Sequence, residues 1–260
     1  MSNYRTIVVQ DSGPARTITL HRPERRNAMT PEMQMELITA LEETAAGDCR
    51  VLVLSGSGTA FCSGLDLATL QEMQDATSAE YRADAERIAR LFVALYEMQV
   101  PTIAAVHGPA IAGGAGLAFL CDFTLATPES KFGFTEARIG FVPALVSVFL
   151  SPQIGDKRSR DLLLTGRIFD ANEALQLGLV NEIVPKESLG RHVEALAQSL
   201  LANSPQSLGA IKRLIAMRHR TLLDTALADA VAASVQSRET GDFREGIAAF
   251  LEKRRPVWKK

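Results

Sequence analysis

The sequence predicts an α/β fold built on a mostly parallel sheet covered by helices. Three observations carry this expectation. Two short apolar runs, Val51-Leu-Val-Leu54 and Ile103-Ala-Ala-Val106, read as strands buried on both faces. Segments with helical spacing alternate with them: Thr30 to Ala46 precedes the first run, and Ser78 to Met98 lies between the two. Glycine and proline mark the joints: Ser55-Gly-Ser-Gly58 ends the first strand, and Pro101 stops the second helix and opens the second strand.

The elements follow in order. Thr6 to Gln10 and Ala15 to Leu20 flank Asp11-Ser-Gly-Pro14 and read as a hairpin. His21 to Asn27 is a polar loop. Thr30 caps a helix that has Pro31 at its first position. Strand, helix and strand then form one crossover unit. Ala60 to Leu67 is a loop of small residues. After Pro143 the chain turns helical: Lys157 to Thr165, Ala171 to Gln176, Glu187 to Ala202, Pro205 to His219, Leu222 to Ser237 and Phe243 to Lys253, with a short strand at Leu179 to Val184. The composition shifts near Ser204, which divides the chain into an α/β core, 1–203, and a C-terminal helical region, 204–260.

The 260 residues, 47% of them hydrophobic, suffice for one large core. A net charge of −2 gives no global field for nucleic acid or an anionic membrane. No stretch approaches the roughly 20 apolar residues of a membrane span, and the N-terminus lacks a signal-peptide pattern. Three cysteines without a CxxC pair read as free thiols in a reducing compartment. A cytoplasmic protein with neither nucleic-acid nor membrane partners is expected. The four histidines form no HExxH, so no metal site is expected either. His107 reads as structural, and Cys62 and Cys121 as small packing residues.

The chemistry concentrates between Pro101 and Pro143. The strand ending at Val106 is broken by His107-Gly-Pro109, and Gly113-Gly-Ala-Gly116 opens a second apolar segment, Leu117 to Leu120. A strand that runs through glycines into a helix N-terminus aims free N–H groups at one point. That point can hold a phosphate or a reaction's oxyanion. Twenty residues after Gly116 stands Glu136, a lone carboxylate among Phe132, Phe134, Ile139 and Phe141. Glu136 reads as an acid/base group; the alternative is a loop carboxylate capping an amide.

These residues resemble the enoyl-CoA hydratase/isomerase family, the crotonase superfamily. The matching segments run in order: Arg22-Pro-Glu-Arg-Arg-Asn-Ala28, Ala60-Phe-Cys-Ser-Gly-Leu-Asp-Leu67, Pro101 to Gly108, Gly113-Gly114, Cys121-Asp122, Phe132-Gly-x-x-Glu136, Gly140-x-x-Pro143, Leu164-Thr-Gly166, Ala171-x-Glu-Ala174 and Gly178-Leu-Val180. The resemblance implies a spiral of ββα turns, with C-terminal helices used in assembly into a trimer or a dimer of trimers. It implies an acyl-CoA thioester as substrate, with coenzyme A part of that substrate and no separate cofactor. It assigns two backbone donors to the thioester oxygen, at Leu65 and Gly113, with Glu136 as acid/base. It also implies substrate-binding positions at Arg25, Ala28, Ser63, Asp66, Leu67 and Gly116. A turn role for Asp66 stands beside its pocket role. The basic tail (Lys253, Arg254, Arg255, Lys259, Lys260) and Arg25 are expected either to meet coenzyme A phosphates or to form a solvated end.

One departure matters. Hydratases of the family typically carry a second glutamate two residues after the glycine pair; here that residue is Gly116. A lone carboxylate most simply moves a proton between two carbons, which is isomerase chemistry. The segment Phe134 to Ser147 instead resembles a bacterial branch of enoyl-CoA and methylglutaconyl-CoA hydratases in which that glycine also occurs. Hydration of a 2-enoyl-CoA therefore ranks above 3,2-isomerisation. Arg138 is a candidate partner for a distal substrate carboxylate, against the plainer reading of an ion pair with a nearby acid. Decarboxylation or thioester hydrolysis would use the same donors. The rival classes are a non-catalytic acyl-CoA binder and a dinucleotide-binding protein; Gly114-Ala-Gly116-Leu-Ala-Phe119 lacks the last small residue of GxGxxG.

Overall fold

The computed structural model describes residues 4–218 and 220–258. Its strands are β1 (Ile7–Ser12), β2 (Ala15–Leu20), β3 (Val51–Gly56), β4 (Thr102–Val106), β5 (Ala110–Ile111), β6 (Phe123–Ala126), β7 (Lys131–Gly133), β8 (Ile168–Asp170) and β9 (Glu182–Ile183). The helices are α1 (Pro31–Ala46), α2 (Leu67–Glu72), α3 (Ser78–Tyr96), α4 (Gly113–Leu120), α5 (Ala144–Ile154), α6 (Asp156–Thr165), α7 (Ala171–Gln176), α8 (Leu189–Leu201), α9 (Pro205–Met217), α10 (Arg220–Arg238) and α11 (Gly241–Leu251). The expected α/β architecture is present, with helices filling the C-terminal part.

The main sheet has the order β1-β2-β3-β4-β6-β9. Only the β1–β2 hairpin is antiparallel; β2 to β9 pair in parallel. A second sheet, β5-β7-β8, stands beside it. The unbroken apolar runs of β3 and β4 have a direct cause. Leu52, Leu54, Ala104 and Val106 enter the large core on one side of the main sheet, and Val51, Val53, Ile103 and Ala105 enter a second cluster under α8. A sheet covered on both faces needs apolar residues at every position. Leu223, Ala230 and Val231 of α10 join the large core.

Local signals place the helix starts. The Thr30 hydroxyl accepts from Met33 N–H at 3.2 Å ahead of Pro31. Thr77 and Glu80 cap α3 reciprocally. Some elements depart from the sequence expectation. α4 begins at Gly113 itself, four residues earlier than its apolar run suggested. The strand expected over Leu179 to Val184 is only Glu182–Ile183. The helix expected to reach His219 ends at Met217, and His219 lies outside the described residues. The sequence does not announce α5, because ALVSVFL is apolar on every side and shows no amphipathic stripe. β5, β7 and β8, at two or three residues each, are too short to show alternation.

Asn27 braces the approach to the site. Its side chain is buried, and Nδ2 donates to the carbonyls of Ser57, Ala60 and Phe61 at 2.9, 2.9 and 3.1 Å. Its Oδ1 accepts from Arg22 N–H at 2.9 Å. Asn27→Ala strands these buried groups together and is expected to cost about 2–4 kcal/mol, read as a lowered urea midpoint at unchanged m-value.

Candidate active site

The site forms where β4 passes through β5 into α4. The N–H groups of Gly113, Gly114 and Ala115 open α4 and have no acceptor among the described residues, whereas Gly116 N–H already bonds to Ala112 O at 3.1 Å. The Cys62–Leu65 loop lies directly against this end. Ile111 N–H donates to Cys62 O at 2.9 Å, and a Cβ built on Gly114 would sit 2.2 Å from the same oxygen. Only glycine permits that approach.

Leu65 is oriented by its neighbours. Met29 N–H donates to Gly64 O at 2.8 Å, and Asp66 N–H donates to Met29 O at 3.0 Å. Backbone groups alternate sides along an extended segment, so the Leu65 N–H faces away from Met29, and it has no acceptor among the described residues. Gly64 connects the two donors: its φ is +91°, and a Cβ there would lie 3.7 Å from Gly113 N.

Glu136 opens a 3-10 turn, Glu136–Ile139, closed by Gly140 at φ +66°. Its carboxyl is buried, and Oε2 has no hydrogen-bond partner. Burial pushes its pKa up from 4.5 to about 7, opposed only by its own backbone N–H. Leu65, Gly113 and Glu136 line one cavity of about 260 Å³. Met29, Leu70, Phe92, Phe141 and Val146 supply apolar walls, and among the described residues Glu136 is the sole carboxylate lining the cavity. A larger hollow of about 810 Å³ lies between α5, α9 and α10. It shares only Val142 and Ala144 with the first and contains neither the donors nor Glu136. The smaller cavity is the candidate site, because it alone of the two carries the free N–H groups and Glu136.

The other expected site residues divide. Ser63 and Leu67 line the cavity. Arg25 and Ala28 do not; Arg26, the neighbouring residue, does. Asp66 caps α2 through Ala68 and Thr69 N–H and meets Arg22 Nη1 at 2.9 Å, so the structure uses it as a turn and cap residue. Gly116 is walled off: a Cβ there would lie 3.0 Å from Phe92 Cζ and 3.4 Å from Val146 Cγ2. Arg138 is exposed, lies outside the cavity lining and packs beside Gly166. In the basic tail, Arg254 is held by Glu245 and Glu252, and Lys259 and Lys260 lie outside the described residues. His107 Nε2 meets Gly58 O at 3.0 Å, a structural contact. Cys62 and Cys121 are buried thiols pushed up to about 12. Sequence reasoning missed Ser234 and Phe250, which reach the cavity from α10 and α11. Among the described residues, no group of three or more His, Cys, Asp or Glu could hold a metal, and no helix is long and apolar enough to cross a membrane.

The unsatisfied N–H groups of Leu65 and Gly113 and the buried carboxyl of Glu136 line one apolar cavity, an arrangement suited to moving a proton while charge on a substrate oxygen is stabilised. Comparison with known proteins gives the family. The enoyl-CoA hydratase/isomerase family model matches residues 13–260. A putative enoyl-CoA hydratase of Thermus thermophilus is 43% identical over 251 residues, covering 96% of this chain and 99% of that protein. A crotonyl-CoA hydratase of Syntrophomonas wolfei is 31% identical, covering 97% of each. The crystal structure of an enoyl-CoA hydratase from Mycobacterium avium subsp. paratuberculosis superimposes with a TM-score of 0.89 at 25% identity, covering 98% of this chain and 99% of that one. The chain belongs to the enoyl-CoA hydratase/isomerase family. It is an enzyme of the crotonase fold.

Proposed function

We propose that this enzyme adds water across the double bond of a 2-enoyl-CoA thioester. The observation that carries the reading is the unpartnered, buried carboxylate of Glu136 in the same cavity as the free N–H groups of Leu65 and Gly113. The thioester oxygen accepts from both N–H groups. Ionised Glu136 takes one proton from water while the water oxygen bonds to Cβ. The Cα=Cβ electrons shift to the Cα–carbonyl bond, and the carbonyl electrons move to oxygen, where the two donors stabilise the enolate. Glu136 then returns its proton to Cα. One water supplies both added groups, and the carboxylate is regenerated. Coenzyme A is part of the substrate, and no separate cofactor takes part in these steps.

A second reading, 3,2-enoyl-CoA isomerisation, is favoured by the apolar packing of Phe92 and Val146 over Gly116. Glu136 would there take a proton from the carbon beside the thioester and return it to the far end of the dienolate. The exposed apolar face of Ile211, Leu214, Ile215 and Met217 on α9 supports self-association into a homotrimer or a dimer of trimers. The free cysteines support a cytoplasmic location.

Matched 2-enoyl-CoA and 3-enoyl-CoA thioesters incubated with the enzyme in heavy-oxygen water separate the readings. Hydration is expected to add one labelled water to the 2-enoyl substrate. Conversion of 3-enoyl to 2-enoyl at unchanged mass, without labelled product, would replace hydratase by isomerase.

A further inference from the structure

We propose that α11 holds the Glu136 turn in register with the oxyanion donors, and that Gly140 and Gly246 are its positioning residues. The inference rests on Glu136 being the acid/base group. It arises from two reciprocal backbone contacts. A Cβ on Gly246 would lie 2.2 Å from Ile139 O and 2.3 Å from Ile139 C. A Cβ on Gly140 would lie 2.2 Å from Asp242 O and 2.8 Å from Phe243 N. The exit of the Glu136 turn and the first turns of α11 therefore touch backbone to backbone at two points. No flexible side chain lies between them to yield.

The same helix reaches the other half of the site. Phe243 and Ile247, both buried, form one apolar cluster with Leu70 and Phe141, and Leu65, Leu67 and Ile139 pack against it. Phe243 packs against Phe141 with ring centroids 5.7 Å apart and the planes tilted by 51°. Leu65 supplies one oxyanion donor, and Ile139 ends the turn that Glu136 begins. α11 thus contacts the donor segment and the acid/base segment at once, and closes the cavity edge with Phe250. The two segments are far apart in the chain and come from different sheets' connections. A rigid third element that touches both fixes the distance between carboxylate and donors. Packed backbones shift as units, so a methyl group forced between α11 and the turn moves Glu136 relative to Leu65.

Gly246→Ala tests this. Relieving a 2.2 Å contact displaces the turn by about 1 Å, and misplacement of that size costs on the order of 100-fold in rate. The expected result is a roughly 100-fold fall in kcat with KM changed by less than about threefold, because substrate binding is kept while the transition-state geometry is lost. Val193→Ala, in the separate cluster under α8, is the control for destabilisation alone and is expected to lower Tm with kcat unchanged. A soluble Gly246→Ala protein with wild-type kcat overturns the proposal. So does a kcat loss matched by Val193→Ala at the same fall in Tm. If Gly246→Ala does not fold, Ile247→Val serves: a several-fold kcat loss at unchanged KM supports the role, and wild-type kcat overturns it. Glu136→Gln measured alongside separates the two claims. An inactive Glu136→Gln with a fully active Gly246→Ala sinks the positioning role alone, whereas an active Glu136→Gln removes the acid/base reading beneath it.

Discussion

Glu136→Gln is expected to lower kcat by about a thousandfold and, at the same time, to make the protein more stable above pH 7. Both effects have one cause. The carboxyl is buried with one oxygen unpartnered, so its charged form is disfavoured and its pKa stands at about 7 rather than 4.5. In the proposed mechanism the ionised form is the proton acceptor, and glutamine cannot replace it. The stability effect follows from linkage. Between pH 4.5 and about 7 the folded protein keeps a proton that the unfolded chain releases, so this group's contribution to stability falls as pH rises. Below 4.5 both states are protonated and the group costs nothing. Above about 7 both are ionised, and the folded state carries the full penalty, on the order of 3 kcal/mol at about 1.4 kcal/mol per pKa unit. Glutamine removes it. Thermal melts of both proteins at pH 4.5 and pH 8 check this: the variant should match wild type at the lower pH and melt higher at the upper one.

Gly64→Ala is expected to lower kcat by about 100-fold or more while the proposed donors, Leu65 and Gly113 N–H, and Glu136 remain chemically intact. Gly64 has φ +91°, which disfavours any side chain. A Cβ there would meet Ala112 Cβ at 2.9 Å and Ile111 O at 3.0 Å, with Gly113 N at 3.7 Å. The methyl therefore wedges the Leu65 segment away from the α4 N-terminus. A single oxygen can accept from both donors only while they stay close, and losing one such donor typically costs 10²–10³ in kcat. Single-turnover kinetics beside an acyl-CoA binding titration check it: binding should fall far less than the chemical step.

Much of this site was legible in the sequence because its parts are local. The glycine run announces a helix N-terminus whatever the tertiary fold, and Glu136 stands out as a charge among Phe132, Phe134 and Phe141. The both-face burial of β3 and β4 was readable from their unbroken apolar runs. What stayed hidden depends on contacts between distant segments. Asp66 looks like a pocket residue in its motif, yet its carboxylate is engaged by Ala68 N–H, Thr69 N–H and Arg22. Arg25 and Arg26 are indistinguishable as adjacent charges; the turn that ends at Arg26, φ +51°, decides which one lines the cavity. Arg238 is one more basic residue in a helical tail, but it is fully buried, 2.8 Å from Asp84 and 5.2 Å from the Phe141 ring centroid. The part played by α11 was invisible, since Gly140 and Gly246 acquire meaning only when their backbones meet.

The central claim is that a buried, lone Glu136 does the proton transfer. The pH dependence of kcat/KM on the preferred enoyl-CoA thioester tests it most directly, because that profile reports the titration of the free enzyme. Activity should rise with pH through a single step centred near 7 and should have fallen about tenfold for each unit below it. A profile flat from pH 5 to pH 9, or one centred near the ordinary glutamate value of 4.5, would contradict the account.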